Sequence, residues 1–383
     1  MSHIKQLYEK DKRNFDRISK FPGEEGNPFD KVLRTLNKIN KIPAIKFFLF
    51  ILLLTGLLTL LDVEKWSFLF LFSIFDTFII LILPFLKISY GSYKSQVFLL
   101  LLLRSIFIWL PYPINLFLQL MGTLLVIYGF IIEPSTIRIT KINKSMDKAN
   151  SKLHFIHLAD VHLEKFSVRE GKILKIINDL NPDFILFTGD FLSLSHNRDP
   201  DSINQVINLF NQINSLVPVY YVSGSPAVDI EEIVVLIQDN ISASRLHNEK
   251  LIIVKNDVEV NLIGVTCTHK PQNDVKVIPS LIEKDKINIL MYHSPDLIYE
   301  IKREDQIQIM LSGHTHGGQV RIPIWGAFFT GSLYGRKLQS GMYRIHDTLL
   351  YISRGIGLEG MGAPRVRFLC SPEIIEWKIN LLL

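Results

Sequence analysis

Apolar residues run almost unbroken through four stretches, at 42–61, 66–86, 97–110 and 114–132, before the pattern changes character. The first, second and fourth come near the ~20 residues that span a bilayer. The third is shorter and carries Arg104, and Pro111-Tyr112-Pro113 is a break that makes the last two a hairpin. This pattern predicts a membrane domain of about four transmembrane helices over 42–133. A basic segment, 1–41, precedes it and a polar, basic linker, 134–152, follows. From 153 onward short apolar runs alternate with amphipathic stretches. Strands are expected at 153–158, 184–188, 217–222, 251–254, 258–265, 287–291 and 307–311, and helices at 168–180, 203–213 and 229–238. Late strands follow at 341–345, 349–353 and 373–379. Strands that alternate with helices and then run on alone predict a mixed α/β domain over 153–383.

Composition sharpens this division. Apolar residues make up 48% of the 383, and the excess lies before residue 134. The net charge of +5 is mild, and no dense basic stripe interleaved with aromatics is present, so nucleic acid is excluded as a partner. Cys267 and Cys370 cannot build a disulfide framework and read as buried small side chains in a reducing compartment. The first apolar run starts too late for a secretory signal. Basic residues precede the first span (Lys5 through Lys41), lie between the second and third (Lys87, Lys94) and follow the fourth (Arg138, Lys141, Lys144, Lys148). With four crossings all of these fall on one side, which the positive-inside rule makes cytoplasmic. The expectation is a multi-pass protein of the cell membrane with its α/β domain in the cytoplasm. Asp76 and Arg104, inside apolar stretches, are expected either to pair with each other or each to face a separate polar pocket.

The chemistry concentrates at strand ends. Gly-His-Thr-His-Gly-Gly-Gln at 313–319 follows the run 307–311, and its two imidazoles lie two residues apart. In an extended backbone, side chains at i and i+2 share a side, so His314 and His316 are expected to converge. Asp160 and His162 follow the first strand, Asp190 the second, and His293 the run 287–291. Metal-type residues at the C-terminal ends of successive strands match the crevice where α/β folds bind ligands. Oxygen and imidazole donors without thiolate suit Mn, Fe, Zn or Mg. Six donors exceed one tetrahedral shell and suffice for two divalent ions if Asp190, with two carboxylate oxygens, bridges them. His154 and His157 read as structural, and His196, His247, His269 and His346 carry no partner signal.

The order Asp-x-His, Gly-Asp, His, Gly-His-x-His resembles the calcineurin-like metallophosphoesterases over about 153–379. Tyr334-Gly335-Arg336, Ser340-Gly341-Met342-Tyr343 and Ser353-Arg354-Gly355-Ile356-Gly357 are similar to the bacterial membrane-associated branch, which includes UDP-diacylglucosamine diphosphatases. The resemblance implies two packed sheets flanked by helices, and hydrolysis by a metal-activated hydroxide. It implies a first metal held by Asp160, His162, Asp190 and His316, and a second held by Asp190, His293 and His314.

One motif departs. Where the family has Gly-Asn-His, this chain has Gly224-Ser225-Pro226. Ser225 is a candidate weak ligand in place of the asparagine, or an ordinary turn residue. Pro226 offers no proton where the family has a histidine, so no general acid is assigned. A positioned acid contributes roughly 10²–10⁴-fold, least when the leaving group is already a stable phosphate anion. The departure signals either a degenerate site or a bias toward diphosphates. Arg354 is a candidate substrate-phosphate ligand or a salt-bridged rim residue. The apolar run 322–329 is a lipid-tail groove, a membrane contact or core. The expected activity is a membrane-anchored, metal-dependent phosphohydrolase acting on a phosphorylated lipid or nucleotide-linked substrate at the bilayer. The alternatives are a catalytically impaired metal- or phosphate-binding protein of the same fold, and a phosphodiesterase on soluble nucleotides.

Overall fold

The structure, a computed structural model, describes residues 35–147, 151–255, 258–359, 362 and 364–382. Most of the basic N-terminal segment, with Lys5 through Arg34, and Lys148 lie outside the described residues. The chain divides into two compact units. Among the described residues, one comprises those from 137 to 357 and from 369 to 382, and the other those from 35 to 136 and from 358 to 368.

The second unit is helical: α1 (Ala44–Leu58), α2 (Val63–Ile82), α3 (Lys94–Ser105) and α4 (Tyr112–Ile127), the last continued by irregular helix to Ser135. Two of these are long and apolar enough to cross a membrane, Val63–Ile82 and Tyr112–Ser135. At 1.5 Å per residue, α1 and α3, with 15 and 12 residues, reach only about 22 and 18 Å, short of the ~30 Å hydrocarbon core. The apolar run behind α1 is longer than the helix because Leu60 and Leu61 turn into left-handed backbone (φ 51° and 60°) before Asp62 caps α2. This unit buries polar groups beside an apolar cluster that includes Phe47, Leu69 and Leu101, and leaves many other apolar side chains exposed. Arg104 donates through Nε and Nη2 to the two oxygens of Asp76, 2.6 Å each, and through Nη1 to Gln119 at 2.9 and 3.0 Å. Of the two expectations from the sequence, the pair therefore forms. Phe48, Leu53, Leu57, Phe78, Phe117 and Leu124 are meanwhile exposed.

The other unit is a sandwich of two mixed sheets. Its strands are β1 (Arg138–Asp147), β2 (Ser151–Leu158), β3 (Phe184–Phe187), β4 (Val219–Tyr221), β5 (Ser244–Arg245), β6 (Glu249–Lys255), β7 (Val258–Gly264), β8 (Ile287–Met291), β9 (Ile309–Ser312), β10 (Arg321–Ile322), β11 (Gly326–Ala327), β12 (Gly341–Ile345), β13 (Thr348–Ile352) and β14 (Glu373–Leu382). The first sheet runs β1-β14-β2-β3-β4-β5 and the second β12-β13-β9-β8-β7-β6. In both, the central strands are parallel. Residues 134–152, expected as a linker, include the whole of β1, paired in parallel with β14.

Strand alternation sorts side chains between layers. Leu153 and Phe155 of β2, Phe184 and Leu186 of β3, Ile287 and Ile289 of β8, and Ile309 and Leu311 of β9 meet in the core between the sheets. Ile156, Leu158, Ile185 and Phe187 face the other way, onto helices α5 (Val168–Leu180), α6 (Pro200–Leu216) and α7 (Glu231–Gln238). The stripe Ile203, Val206, Phe210, Ile213 follows the helical repeat and is buried throughout. Ser167 and Glu170 close a capping box at the start of α5, and Asp199 caps α6 with Pro200 in its first turn, three residues ahead of the apolar stripe. The outer face of the second sheet differs from the expected helical flank. Among the described residues it carries short 3₁₀ turns such as Val275–Ser280 and Pro295–Tyr299, each with a proline that limits helical hydrogen bonding.

Candidate metal centre

The parallel strands of both sheets deliver their following residues to one place. Asp160 and His162 come after β2, Asp190 after β3, Ser225 after β4, His269 after β7, His293 after β8, and His314 and His316 after β9. The period-2 reasoning that singled out these pairs does not describe their backbone. Asp160, His162, Asp190, His314 and His316 all have left-handed φ, between 42° and 70°. Such conformations cost of order 1–3 kcal/mol each in non-glycine residues and gather at functional sites. His314 and His316 consequently separate rather than converge. His316 turns to Asp160 and His162, and His314 turns to His293.

One half of the centre is compact. One donor atom from each of Asp160, His162, Asp190 and His316 lies within 4.8 Å of every other, and all four residues are buried. His162 Nε2 is 2.9 Å from His316 Nε2 and 3.3 Å from Asp190 Oδ2. The other half shares the same oxygen, with His293 Nε2 also 3.3 Å from Asp190 Oδ2. His293 Nδ1 donates to the Thr188 carbonyl (2.7 Å) and His314 Nε2 to the Gly331 carbonyl (3.1 Å). Those bonds occupy the outer ring nitrogens, so His293 Nε2 and His314 Nδ1 face inward. Both meet Ser225 Oγ, at 3.1 and 3.3 Å.

The donor set fits a divalent cation. Asp160 is fully buried, yet its Oδ2 has no hydrogen-bond partner. Burial raises the Asp160 pKa to about 6, with the nearby Asp190 charge adding to the effect against the pull of His293. Burial opposes ionisation of Asp190 too, but the His293 charge and bonds from His162 and His293 hold it well below its usual value. For His293, burial lowers the pKa, and the Asp190 carboxylate overrides it to bring the group to about 10. His314 is driven well below its usual value by burial and by repulsion from His269 and His293. Buried carboxylates that draw in positive charge, ringed by imidazole nitrogens, are a cation site in charge and in chemistry.

Supporting groups hold the loops. Asp229 accepts from the backbone N–H groups of Asp190 (2.9 Å), Phe191 (2.9 Å) and Gly224 (2.7 Å), tying the β3 and β4 loops together. Gly189 and Gly224 press back to back, so a Cβ on Gly189 would lie 2.3 Å from the Gly224 nitrogen. Cys370, buried like Cys267, points Sγ at the His316 carbonyl at 3.2 Å. Arg354 is engaged by Glu373 through Nε at 3.0 Å, the salt-bridged arrangement of its two expectations. Pro226 is exposed. The run 322–329 is mostly not core: Ile322, Ile324, Trp325 and Phe328 are exposed around the short β10–β11 pair, while Ala327 is buried.

Sequence reasoning passed over His269. It is buried, its Nε2 is 3.1 Å from Ser225 Oγ, and its ring lies 4.7 Å from that of His314. The signal was present, since His269 follows the strand at 258–264 as the other donors follow theirs.

The calcineurin-like phosphoesterase family model matches residues 153–318, which spans every one of these donors. The chain carries a calcineurin-like metallophosphoesterase domain. That domain makes the chain a hydrolase of phosphoesters. It is 28% identical over 238 residues to the metallophosphoesterase YkoQ of Bacillus subtilis, covering 59% of this chain and 83% of that protein. It is 24% identical over 303 residues to UDP-2,3-diacylglucosamine pyrophosphatase LpxG of Chlamydia trachomatis, covering 63% of this chain and 89% of that one. A third relative, phosphodiesterase YaeI of Escherichia coli, is 24% identical over 237 residues, covering 57% of this chain and 79% of that protein.

Proposed function

We propose that this metallophosphoesterase is a membrane-anchored diphosphatase that works with two divalent cations on a lipid-linked substrate. The observation that carries the reading is Asp190 Oδ2, 3.3 Å from an imidazole nitrogen on either side, His162 and His293. One carboxylate oxygen shared between two donor groups is the arrangement a paired-cation centre needs. Asp160, His162, Asp190 and His316 would hold one ion, and Asp190, His293 and His314 the other. Bound there, divalent cations supply Lewis-acid activation of water and neutralise charge on phosphoryl oxygens.

The chain's own residues do the rest. The Thr188 and Gly331 carbonyls keep the outer ring nitrogens of His293 and His314 protonated, so the inner ones stay free to ligate. Asp229 holds the Asp190 loop in its strained conformation. Burial of the donors keeps bulk water from competing with substrate oxygens. Pro226 can give no proton to a departing group, so the site favours a leaving group stable as an anion, which a diphosphate supplies. The LpxG relative's activity on a diacylated UDP-sugar agrees with that chemistry.

The anchor reading rests on the helical unit. Buried Asp76, Arg104 and Gln119 under an exterior of exposed Leu and Phe invert the arrangement of a soluble protein, where apolar patches of that extent are rare. On this reading the chain comprises a basic segment 1–41, a membrane domain 42–133 and a cytoplasmic catalytic domain beyond. Exposed Ile324, Trp325 and Phe328 follow the His314-x-His316 loop and suit acyl chains or the bilayer surface. The second reading, a binding protein with impaired catalysis, is favoured by Ser225-Pro226 alone.

Purified full-length protein in detergent, assayed with Mn against a UDP-linked diacyl sugar and bis-p-nitrophenyl phosphate, tests the activity. Turnover of the diphosphate, falling to background in Asp190→Asn, is expected. Bound metal without turnover of either compound would establish the binding protein instead. An alkaline phosphatase fused after residue 140 should be inactive, and strong reporter activity would overturn the cytoplasmic placement.

A further inference from the structure

We propose that His269 is a ligand of the second cation, completing with Asp190, His293 and His314 the set that Ser225 leaves short. This rests on the two-cation reading above.

Three imidazole nitrogens surround Ser225 Oγ: His269 Nε2 at 3.1 Å, His293 Nε2 at 3.1 Å and His314 Nδ1 at 3.3 Å. The rings of His269 and His293 are 6.5 Å apart, and those of His269 and His314 are 4.7 Å apart. The outer nitrogens of His293 and His314 already donate to carbonyls. Their inner nitrogens, His293 Nε2 and His314 Nδ1, both face Ser225 Oγ. His269 Nε2 aims at the same point from the third side. A histidine that only braced the Ser225 loop would need no such convergence of three rings.

Backbone placement agrees. His269 is buried, follows the parallel strand β7, and adopts φ 57°, like five of the six residues singled out from the sequence. Among the described residues, the four-residue group around Asp160 is the one whose donor atoms all lie within 4.8 Å. The second half is looser because Ser225 Oγ stands between its imidazoles. A small rotation of that hydroxyl, whose residue is otherwise held by its backbone N–H on Asp190 Oδ1 (2.8 Å), would open the position. Three imidazoles and one carboxylate form a softer set than two imidazoles, an amide and a carboxylate. The second site should therefore prefer Zn²⁺, Co²⁺ or Fe²⁺ over Mn²⁺ and Mg²⁺.

The test uses full-length protein in detergent, stripped with chelator and titrated with Co²⁺. Ions per chain are counted by mass spectrometry, and affinity is read by calorimetry and visible absorption. Wild type should take two ions. His269→Gln should keep one at unchanged affinity and bind the second at least about tenfold more weakly, since even a partner one shell further out costs 10–100-fold. Adding Ser225→Asn to His269→Gln should restore the second ion by supplying an amide oxygen. Free imidazole should do the same for His269→Gly, a rescue a misfolded chain would not show. Two ions bound by His269→Gln with wild-type affinities would overturn the proposal. So would a single ion on wild type, which leaves the first site standing, whereas no ion on wild type would also sink the two-cation reading. Loss of both ions from His269→Gln and from His269→Gly, with no rescue by imidazole, would likewise overturn it.

Discussion

Replacing Gly224 with alanine should disable the centre without replacing any donor. A Cβ at Gly224 would stand 2.0 Å from Asp190 Oδ1, 2.3 Å from the Asp190 nitrogen and 2.8 Å from Asp190 Cγ. An ordinary C···O contact is about 3.3 Å, so the carboxylate or its loop must give way by about 1.3 Å. Gly224 has no left-handed φ, so alanine suits its backbone and the penalty is purely one of space. A displacement of about 1 Å at a reacting centre costs on the order of 10²-fold in rate, or about 3 kcal/mol of transition-state stabilisation. Because Asp190 is common to both halves, metal binding should weaken at each. Overpacking should also remove about 1–3 kcal/mol of stability. The assay is kcat/KM on the diphosphate substrate, with metal content and thermal unfolding of the same preparation. Gly171→Ala is the control. It lies in α5 with nothing within 4 Å of a new Cβ, so it should stabilise by roughly 0.5–1 kcal/mol and leave turnover unchanged. A Gly224→Ala protein within threefold of wild-type kcat/KM, carrying its full metal content, would refute the reasoning.

Two further perturbations report on other parts of the molecule. His157 is fully buried against Thr188 Oγ1 (2.9 Å), and burial lowers its pKa to about 3. The unfolded chain therefore binds more protons between pH ~6.5 and ~3, and this group's contribution is intact above pH 6.5 and lost as pH falls through that window. At pH 5 the loss is about 2 kcal/mol. Thermal unfolding of His157→Gln should accordingly fall less between pH 7 and 5 than wild type does, and parallel curves would count against the buried neutral ring. In the helical unit, Asp76→Asn strands the buried Arg104 guanidinium and should destabilise by about 3–5 kcal/mol in detergent. The double variant with Arg104→Gln should lose less than the sum of the two single changes. Simple additivity in that cycle would show the pair to be uncoupled.

The six residues gathered at the candidate centre were legible because their residue types recur after successive apolar runs. The geometric reason attached to them was not the operative one. Left-handed backbone at Asp160, His162, Asp190, His314 and His316, rather than strand alternation, aims these side chains, and no periodicity reports a positive φ. His269 escaped notice because an isolated histidine has no spacing signature, although its position after β7 obeys the rule that found the others. β1 was hidden for a different reason. Its lysines read as a solvated connector, and the strand exists through a partner, β14, from the far end of the domain. The apolar stretches gave the existence of four helices but not their lengths, which are set locally by the turn at Leu60-Leu61 and the loss of regular helix after Ser105.

The strand order of the first sheet bears on how the domain comes into being. β1 and β2 are neighbours in sequence, yet β14 lies between them and bonds to both. A nascent chain that has made β1 and β2 has nothing to put in that gap, and the two would pair wrongly if they closed on each other early. The sheet that carries Asp160 and Asp190 can zip shut only when β14 has left the ribosome. Truncations ahead of β14 should therefore yield aggregating chains rather than smaller working enzymes.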